Sequence, residues 1–156
     1  LHPGQIVDVY GKVLGDHEGT EHFTIGQRRG LGVATGAPLF VVDLLPEEGV
    51  VVVGQREHGL AQFMDVSDLN WIGFDAPASF ECTVQHRYHG VPEVCTVERT
   101  EAGVRVHFEG DVLAVTPGQG AAFYRGDQVL GGGWIDRVQR RIDEEPKTLE
   151  SARAQG

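Results

Sequence analysis

The chain has 156 residues, 13 of them basic and 23 acidic, and a net charge of −10 at neutral pH. This length accommodates one ordinary domain or two small ones, and no apolar run approaches the ~20 residues of a membrane helix, which predicts a soluble protein. The acidic balance argues against a broad nucleic-acid-binding surface, because phosphate contacts require cationic groups, so any RNA contact has to be local.

The chain begins Leu1-His2-Pro3, without a starting methionine or a charged and apolar leader. We therefore expect a fragment or a processed piece of a longer protein. Its two cysteines, Cys82 and Cys95, are too few for a secreted disulfide framework and do not form a CxxC pair. This usage favours a reducing cytoplasm.

The first part of the chain predicts a β-hairpin. Strand-like runs at residues 39–44 and 50–53 are joined by the turn-rich residues 45–49. The second run is four consecutive valines, which predicts a strand that is buried on both faces. Periodicity is lost between Gly54 and Phe63, so we place a domain boundary near residue 62.

The second part predicts a small antiparallel barrel or sandwich. Short β-like runs, separated by turns that contain Gly or Pro, occupy residues 80–88, 94–99, 104–108, 112–115, 121–124 and 128–130. Closing such strands into a barrel removes exposed sheet edges. The predicted division is therefore a first domain at 1–62, a barrel at 63–138, and a charged, flexible tail at 139–156 with a short helix from Thr148.

Two glycine-rich motifs suggest nucleotide binding, and neither meets its requirements. Residues 26–32, GQRRGLG, lack the Lys-Ser or Lys-Thr pair and the strand–loop–helix unit of a phosphate loop. A loop that holds RNA backbone, or a tight structural turn, is favoured there. Gly131-Gly132-Gly133 precedes Trp134 rather than the Asp-Ser pair of a pyrophosphatase loop, which indicates a bulge or a close backbone approach.

Histidines and cysteines are the residues that would hold a metal or carry redox chemistry. His86 and His89 have a tolerable spacing, but no third or fourth ligand accompanies them, so we predict no metal site. The expected hairpin register places Cys82 opposite Arg99 and away from Cys95. This predicts two buried, small apolar residues rather than a redox pair.

Arg87 and Tyr88 form the most informative pair. An arginine can form a bidentate contact with a phosphate or stack on a base, and a tyrosine can stack its ring on an unstacked base. Adjacent residues on a strand face opposite sides, so both reach one ligand only near a strand end, where the turn at residues 90–92 places them. From chemistry alone an alternative remains open, in which Tyr88 lies in the core and Arg87 is a solvated edge residue.

Residues 22–32, HFTIGQRRGLG, resemble a signature of the tRNA-specific 2-thiouridylases. Further matches follow in the order of that family, at residues 3–7, 15–19, 67–72, 87–88, 114–119 and 130–135. The resemblance covers the family's central and C-terminal domains. It implies a mainly all-β fold, with a small central β domain followed by a C-terminal antiparallel β-barrel similar to those of translation factors.

The family's N-terminal domain uses ATP to activate the wobble uridine of tRNA and transfers sulfur from a cysteine persulfide. The resemblance implies that this domain lies upstream of the chain, so the fragment is expected to be inactive, with no catalytic residue, cofactor or metal. It implies tRNA contacts at Arg87, Tyr88 and Gln119. The implied partners are tRNA and, through the absent domain, a sulfur-donor protein in the cytoplasm, with neither a membrane nor DNA. The local chemistry adds a hypothesis of RNA backbone contacts at Gln27, Arg28 and Arg29.

Two other functions compete with this interpretation. A standalone acidic β-barrel module that binds a protein partner is favoured by the charge of −10. An independent small enzyme is disfavoured, because no pairing of a nucleophile with a base and no metal constellation is present.

Overall fold

The computed structural model describes residues 3–28, 31 and 39–141, which fold mainly as β-strands. The strands are β1 Gly4–Asp8, β2 Val13–His17, β3 Phe40–Leu45, β4 Val50–Gly54, β5 Ala61–Trp71, β6 Ser79–Gln85, β7 Glu93–Arg99, β8 Val104–Phe108, β9 Gly120–Arg125 and β10 Gln128–Arg140. Within the described ranges the helical elements are two short 3₁₀ turns, Thr20–His22 and Arg56–Gly59. The mainly all-β fold is confirmed. None of the helices described is long and apolar enough to cross a membrane.

The described residues form two compact units. The first contains those up to Leu60 together with Arg140 and Arg141, and the second is Ala61–Gln139. The division lies close to the boundary expected near residue 62. Strand β10 continues through Arg140, into the segment expected to be a tail. Residues 142–156, including the helix expected from Thr148, lie outside the described residues.

The first unit is a four-stranded sheet in the order β2-β1-β4-β3. Strand β4 pairs in parallel with β1 and antiparallel with β3, so the expected hairpin is present. Val50 to Val53 are at most 3% exposed, which confirms the burial predicted from four consecutive valines. A strand buried on both faces needs no polar alternation, because neither face meets water.

A buried ion pair lies within the first unit. Asp43 is 7% exposed and Arg140 is 2% exposed, and Asp43 Oδ1 lies 3.9 Å from Arg140 Nη2. The same carboxylate oxygen accepts a hydrogen bond from the Leu44 N–H, and Arg140 Nη1 donates to the Gly59 carbonyl at 3.5 Å. Because both charges are removed from water, this contact supplies each of them with an opposite charge that offsets part of the cost of burial.

The second unit is a closed barrel in the order β10-β5-β8-β7-β6-β9. Alternate residues of an extended strand face the interior, as β8 shows with buried Val104, Val106 and Phe108. Phe123 is fully buried, and its ring centroid lies 5.7 Å from that of Trp71. The barrel is therefore filled by its own side chains, and this predicted architecture is confirmed.

Three consecutive glycines close the barrel where β10 passes between β5 and β9. A Cβ atom at Gly131 or Gly133 would collide with the carbonyl oxygens of Asn70 and Ser67 on β5. One at Gly132 would lie 2.7 Å from the Ala121 carbonyl oxygen of β9, closer than real Cβ atoms approach. The pairing also shifts register between Val129 and Gly131. The bulge and the close approach predicted for these glycines are both present.

Two strand predictions were wrong. Strand β5 begins at Ala61, inside the segment whose periodicity is lost, and residues 112–115 form no strand. Val112 and Val115 are both buried but lie three residues apart, and Ala114 between them has a φ of 60°. A left-handed residue interrupts an extended strand, so the apolar run is a buried loop.

Candidate functional site

A tight turn after β6 exposes Arg87 and Tyr88. The Gly90 N–H donates to the Arg87 carbonyl at 3.0 Å, and His89 has a φ of 60°, as the third residue of a type II turn requires. A Cβ on Gly90 would lie 2.8 Å from Arg87 Cγ, so glycine is needed for the arginine stem to pass. Tyr88 is 88% exposed, which rules out its alternative placement in the core.

A second turn, before β9, exposes Gln119. The Gln119 N–H donates to the Thr116 carbonyl at 3.3 Å, and Gly118 has a φ of 89°. Pro117 and Gly118 occupy the two central positions that a type II turn prefers for these residues. The Ile135 N–H donates to the Gln119 carbonyl at 2.9 Å and attaches the turn to β10. The side-chain amide of Gln119 therefore stands in solvent on a fixed support.

The strand register brings both turns to one end of the barrel. Strands β6 and β9 are antiparallel, and their ladder ends in this direction with Gln85 opposite Ala122. Arg87 lies two residues after Gln85, and Gln119 lies three residues before Ala122. Because the two strands are antiparallel, both residues lie beyond the same end of the ladder. Arg87, Tyr88 and Gln119 thus share one end of the second unit.

Trp134 lies at the same end, and sequence reasoning did not select it. It pairs with Gly120, the residue after Gln119, and 55% of it is exposed. The available signal was alternation, because Ile135 next to it is buried and neighbouring strand residues face opposite sides.

His86 lies beneath the Arg87–Tyr88 turn. It is 3% exposed, its ring centroid lies 6.1 Å from that of Phe108, and its Nδ1 has no hydrogen-bond partner among the described residues. Burial, reinforced by the positive charge of Arg87, lowers the pKa of His86 below its usual 6.5. The imidazole is therefore held neutral in the folded barrel.

This neutral histidine predicts acid sensitivity of the barrel. As the pH falls below about 6.5, the unfolded chain binds a proton at His86 before the folded chain does. Neutral His86 makes its full contribution to stability above about pH 6.5. This contribution is lost as the pH falls through the lowered pKa that His86 has in the folded barrel. We expect the melting temperature to fall between about pH 7 and pH 5, and His86→Gln to reduce that fall. His22→Gln, which changes an exposed histidine, is the control. An unchanged pH profile in His86→Gln would contradict the assignment.

The two cysteines are neighbours, contrary to the expected register. Cys82 pairs directly with Cys95, and their sulfur atoms are 3.8 Å apart. Pairing of β6 with β7 ends at Val84 opposite Glu93, so the connection is longer than the short turn assumed from sequence. Both cysteines are buried, as predicted, and both are free thiols.

The environment shifts the pKa values of the two thiols in opposite directions. The hydrogen bond with Cys82 and burial both raise the pKa of Cys95, in that order of size. The hydrogen bond with Cys95 lowers the pKa of Cys82, against the opposing effect of burial. Cys95 is therefore held as a protonated thiol, and it donates to the Cys82 carbonyl oxygen at 3.5 Å.

The candidates for RNA backbone contact lie in the first unit. Gln27 closes another type II turn: its N–H donates to the Thr24 carbonyl at 2.9 Å, its Oε1 accepts from the Thr24 N–H, and Gly26 has a φ of 92°. The turn also pairs with β3, since the Gly26 N–H donates to the Val41 carbonyl and the Val41 N–H to that of Gln27. Arg28 is exposed, and Arg29 lies outside the described residues.

The described part of the chain contains no group of three or more His, Cys, Asp or Glu side chains arranged to hold a metal ion.

Comparisons with known proteins match both units. A family model described as tRNA methyl transferase PRC-barrel domain matches residues 1–55. A model described as aminomethyltransferase beta-barrel domain matches residues 61–135.

Several full proteins named tRNA-specific 2-thiouridylase MnmA are also similar to the chain. The protein of Carboxydothermus hydrogenoformans is 46% identical over 139 residues, 88% of this chain and 38% of that protein. That of Geobacter metallireducens is 48% identical over 85% of this chain and 36% of its own length. That of a Synechococcus strain is 45% identical over 90% of this chain and 40% of its own length. The chain thus spans less than half the length of these relatives.

Proposed function

The chain belongs to the tRNA-specific 2-thiouridylase family, and from that premise we propose that its barrel holds tRNA while the wobble uridine is thiolated. The proposed reaction of the whole enzyme uses ATP to activate the uridine and a cysteine persulfide to supply sulfur, in the cytoplasm. Its chemistry belongs to the part of the relatives that this chain does not match. The two β units carry no catalytic residue in this proposal, and a sulfur-donor protein engages the enzyme elsewhere.

One observation carries the proposal, the shared position of Arg87, Tyr88 and Gln119 at one end of the barrel. Tyr88 is 88% exposed, so its ring does not serve the core of the barrel and is free to contact a ligand. An aromatic ring in solvent beside a guanidinium and an amide suits an unpaired nucleotide, which offers a base face, a phosphate and polar edges. The guanidinium suits the phosphate, the aromatic ring suits the base face, and the amide suits the polar edges.

The roles follow from the side chains. Arg87 pairs with a phosphate oxygen, Tyr88 stacks on a base, and Gln119 exchanges hydrogen bonds with a base or ribose edge. The turns fix the backbone of all three residues, so little backbone order has to be gained on binding. The net charge of −10 limits binding to such local contacts, because most of the surface repels phosphate. Arg28 adds a backbone contact from the first unit.

Substitution of Arg87 and Tyr88 tests the proposal, because their contacts differ in salt dependence. Tyr88→Ala is expected to lose about 1–3 kcal/mol of tRNA binding and to leave the slope of log affinity against log salt nearly unchanged. Arg87→Ala is expected to reduce that slope by about 0.7–0.9, the share of one phosphate contact. Both are measured by anisotropy titration of unmodified tRNA across a salt series.

Matched controls come from the first unit. Tyr10 is 67% exposed, and Tyr10→Ala removes an exposed tyrosine of the same kind without touching the barrel. Arg56→Ala likewise removes an exposed arginine. If Arg87→Ala and Tyr88→Ala bind tRNA as tightly as these controls, the barrel is only a structural support and the proposal fails.

A second candidate function is a β-barrel module that binds a protein partner. The acidic charge favours it, and so do exposed apolar residues beside the Arg87–Tyr88 turn, Val91 at 77% and Val94 at 52%. The same titrations separate the two functions, because a protein-binding module shows no tRNA affinity that depends on Tyr88.

A further inference from the structure

The described barrel contains two tryptophans in opposite situations. Trp71 packs between the rings of Phe74, Phe80 and Phe123, with centroid distances of 5.7 to 5.9 Å. Trp134 is 55% exposed, and among the described residues no aromatic ring or cation stacks on it. The part of the Trp134 ring that stays in water is available for binding.

The neighbours of Trp134 leave its ring open. Its partner across the ladder is Gly120, and an added Cβ there would lie 3.8 Å from the ring carbon Cζ3 of Trp134. The indole therefore lies over a residue that has no side chain to cover it. Gly120 follows Gln119 directly, and the Ile135 N–H, next to Trp134, donates to the Gln119 carbonyl at 2.9 Å. Trp134 and Gln119 therefore lie side by side where the pairing of β9 with β10 ends.

We propose that Trp134 is a stacking platform for a second unpaired nucleobase of the bound tRNA, beside the site formed by Arg87, Tyr88 and Gln119. The proposal rests on the proposed tRNA-binding function and extends it to a residue outside the Arg-Tyr and Gln matches. An indole accepts any base on its face, so the platform contributes affinity without sequence preference. Gln119, at its border, supplies the directional hydrogen bonds.

The strand order places Trp134 and Tyr88 at separate positions along the end of the barrel. Strand β9 lies between β10, which carries Trp134, and β6, whose end leads into the turn of Tyr88. The two strands are about 10 Å apart, or two ladder spacings, which leaves room for a base at each ring. We assign the two rings to different bases, so substitutions at the two positions are expected to add.

The test titrates the protein with unmodified tRNA and follows affinity and tryptophan fluorescence. Trp134→Ala is expected to weaken binding about 5- to 100-fold and to leave the salt slope unchanged. Trp134→Phe keeps a stacking ring and is expected to bind tRNA within about threefold of the parent affinity. In this variant the quenching of Trp134 fluorescence by tRNA is absent, because the indole has been removed. Gly120→Ile retains Trp134 but covers part of its ring, and is expected to weaken binding as well.

The matched control is Ile72→Ala. Ile72 is also 55% exposed, and its N–H donates to the carbonyl of Leu130, toward the opposite end of β10. This variant is expected to bind normally. Thermal melting of each variant checks that the barrel is folded.

The outcomes distinguish the two proposals. If Arg87→Ala and Tyr88→Ala weaken binding but Trp134→Ala does not, the Trp134 platform is overturned and tRNA binding stands. If none of the three weakens binding, tRNA positioning itself fails. A double substitution of Tyr88 and Trp134 that costs no more than either single one would overturn the assignment of separate bases.

Discussion

Phe123→Ala is expected to lower the free energy of unfolding of the barrel by about 3–5 kcal/mol. Phe123 is fully buried at the centre of the interior, and its ring lies against Trp71. Its removal loses apolar burial and leaves a cavity, because strands closed into a barrel cannot collapse inward freely. Tryptophan fluorescence during unfolding in guanidinium chloride measures the loss, with Trp134→Phe as the common background so that the signal comes from Trp71.

Phe63→Ala is the control for that measurement. Phe63 is on the same barrel, but its ring is half-buried under the Arg105 guanidinium, whose central carbon lies 4.0 Å from the ring centroid. Its removal loses this cation–π contact and a longer one with Arg137 at 5.4 Å, each worth about 0.5–1 kcal/mol at an exposed site. Equal losses from the two substitutions would show that the interior of the barrel is not the main source of its stability.

Arg140→Ala is expected to destabilise the first unit by a similar amount, about 3–5 kcal/mol, because it removes the opposite charge that the 3.9 Å contact supplies to the buried Asp43 carboxylate. Replacing both partners, as in Asp43→Leu with Arg140→Met, is expected to recover most of that loss, since no buried charge remains. Chemical unfolding followed by far-ultraviolet circular dichroism measures the stabilities of the parent and both variants.

Arg137→Ala provides a comparison on the same strand. Arg137 is 51% exposed, and its Nε lies 3.5 Å from an Asp65 carboxylate oxygen, so water screens the pair. Its loss is expected to cost less than about 1 kcal/mol.

If the double replacement at Asp43 and Arg140 is as unstable as Arg140→Ala, packing rather than charge compensation explains the loss.

The sequence was most informative where one physical rule acts alone. Four consecutive valines predicted a buried β4, the short β-like run at residues 104–108 predicted β8, and three glycines predicted the close strand contact in β10. Prediction was wrong at residues 112–115, since an apolar run does not reveal that Ala114 adopts a left-handed conformation. The start of β5 was missed because its alternation is irregular near Ala61 and becomes readable only with its partner β8 in place.

The candidate site was accessible from the sequence chiefly through the family resemblance, which implied Arg87, Tyr88 and Gln119. The glycine and proline at residues 90–92 located Arg87 and Tyr88 near a strand end. The register between β6 and β7 was not accessible, because a hairpin with a long connection has no fixed offset. For that reason the Cys82–Cys95 pairing was predicted wrongly. Trp134 was missed because its exposure depends on Gly120, a residue that is its neighbour only in the folded sheet.

The turn from Thr24 to Gln27 also bears on how the first sheet avoids pairing with other molecules in concentrated solution. Strand β3 is the last strand of its sheet, and the free side of such a strand is a template for a strand of another molecule. The turn occupies this side at Val41, where it uses both the N–H and the carbonyl oxygen. A residue other than glycine at position 26, where φ is 92°, would disturb the turn and free both groups for self-association. The turn from Thr24 to Gln27 thus removes one pairing position from the free edge of β3.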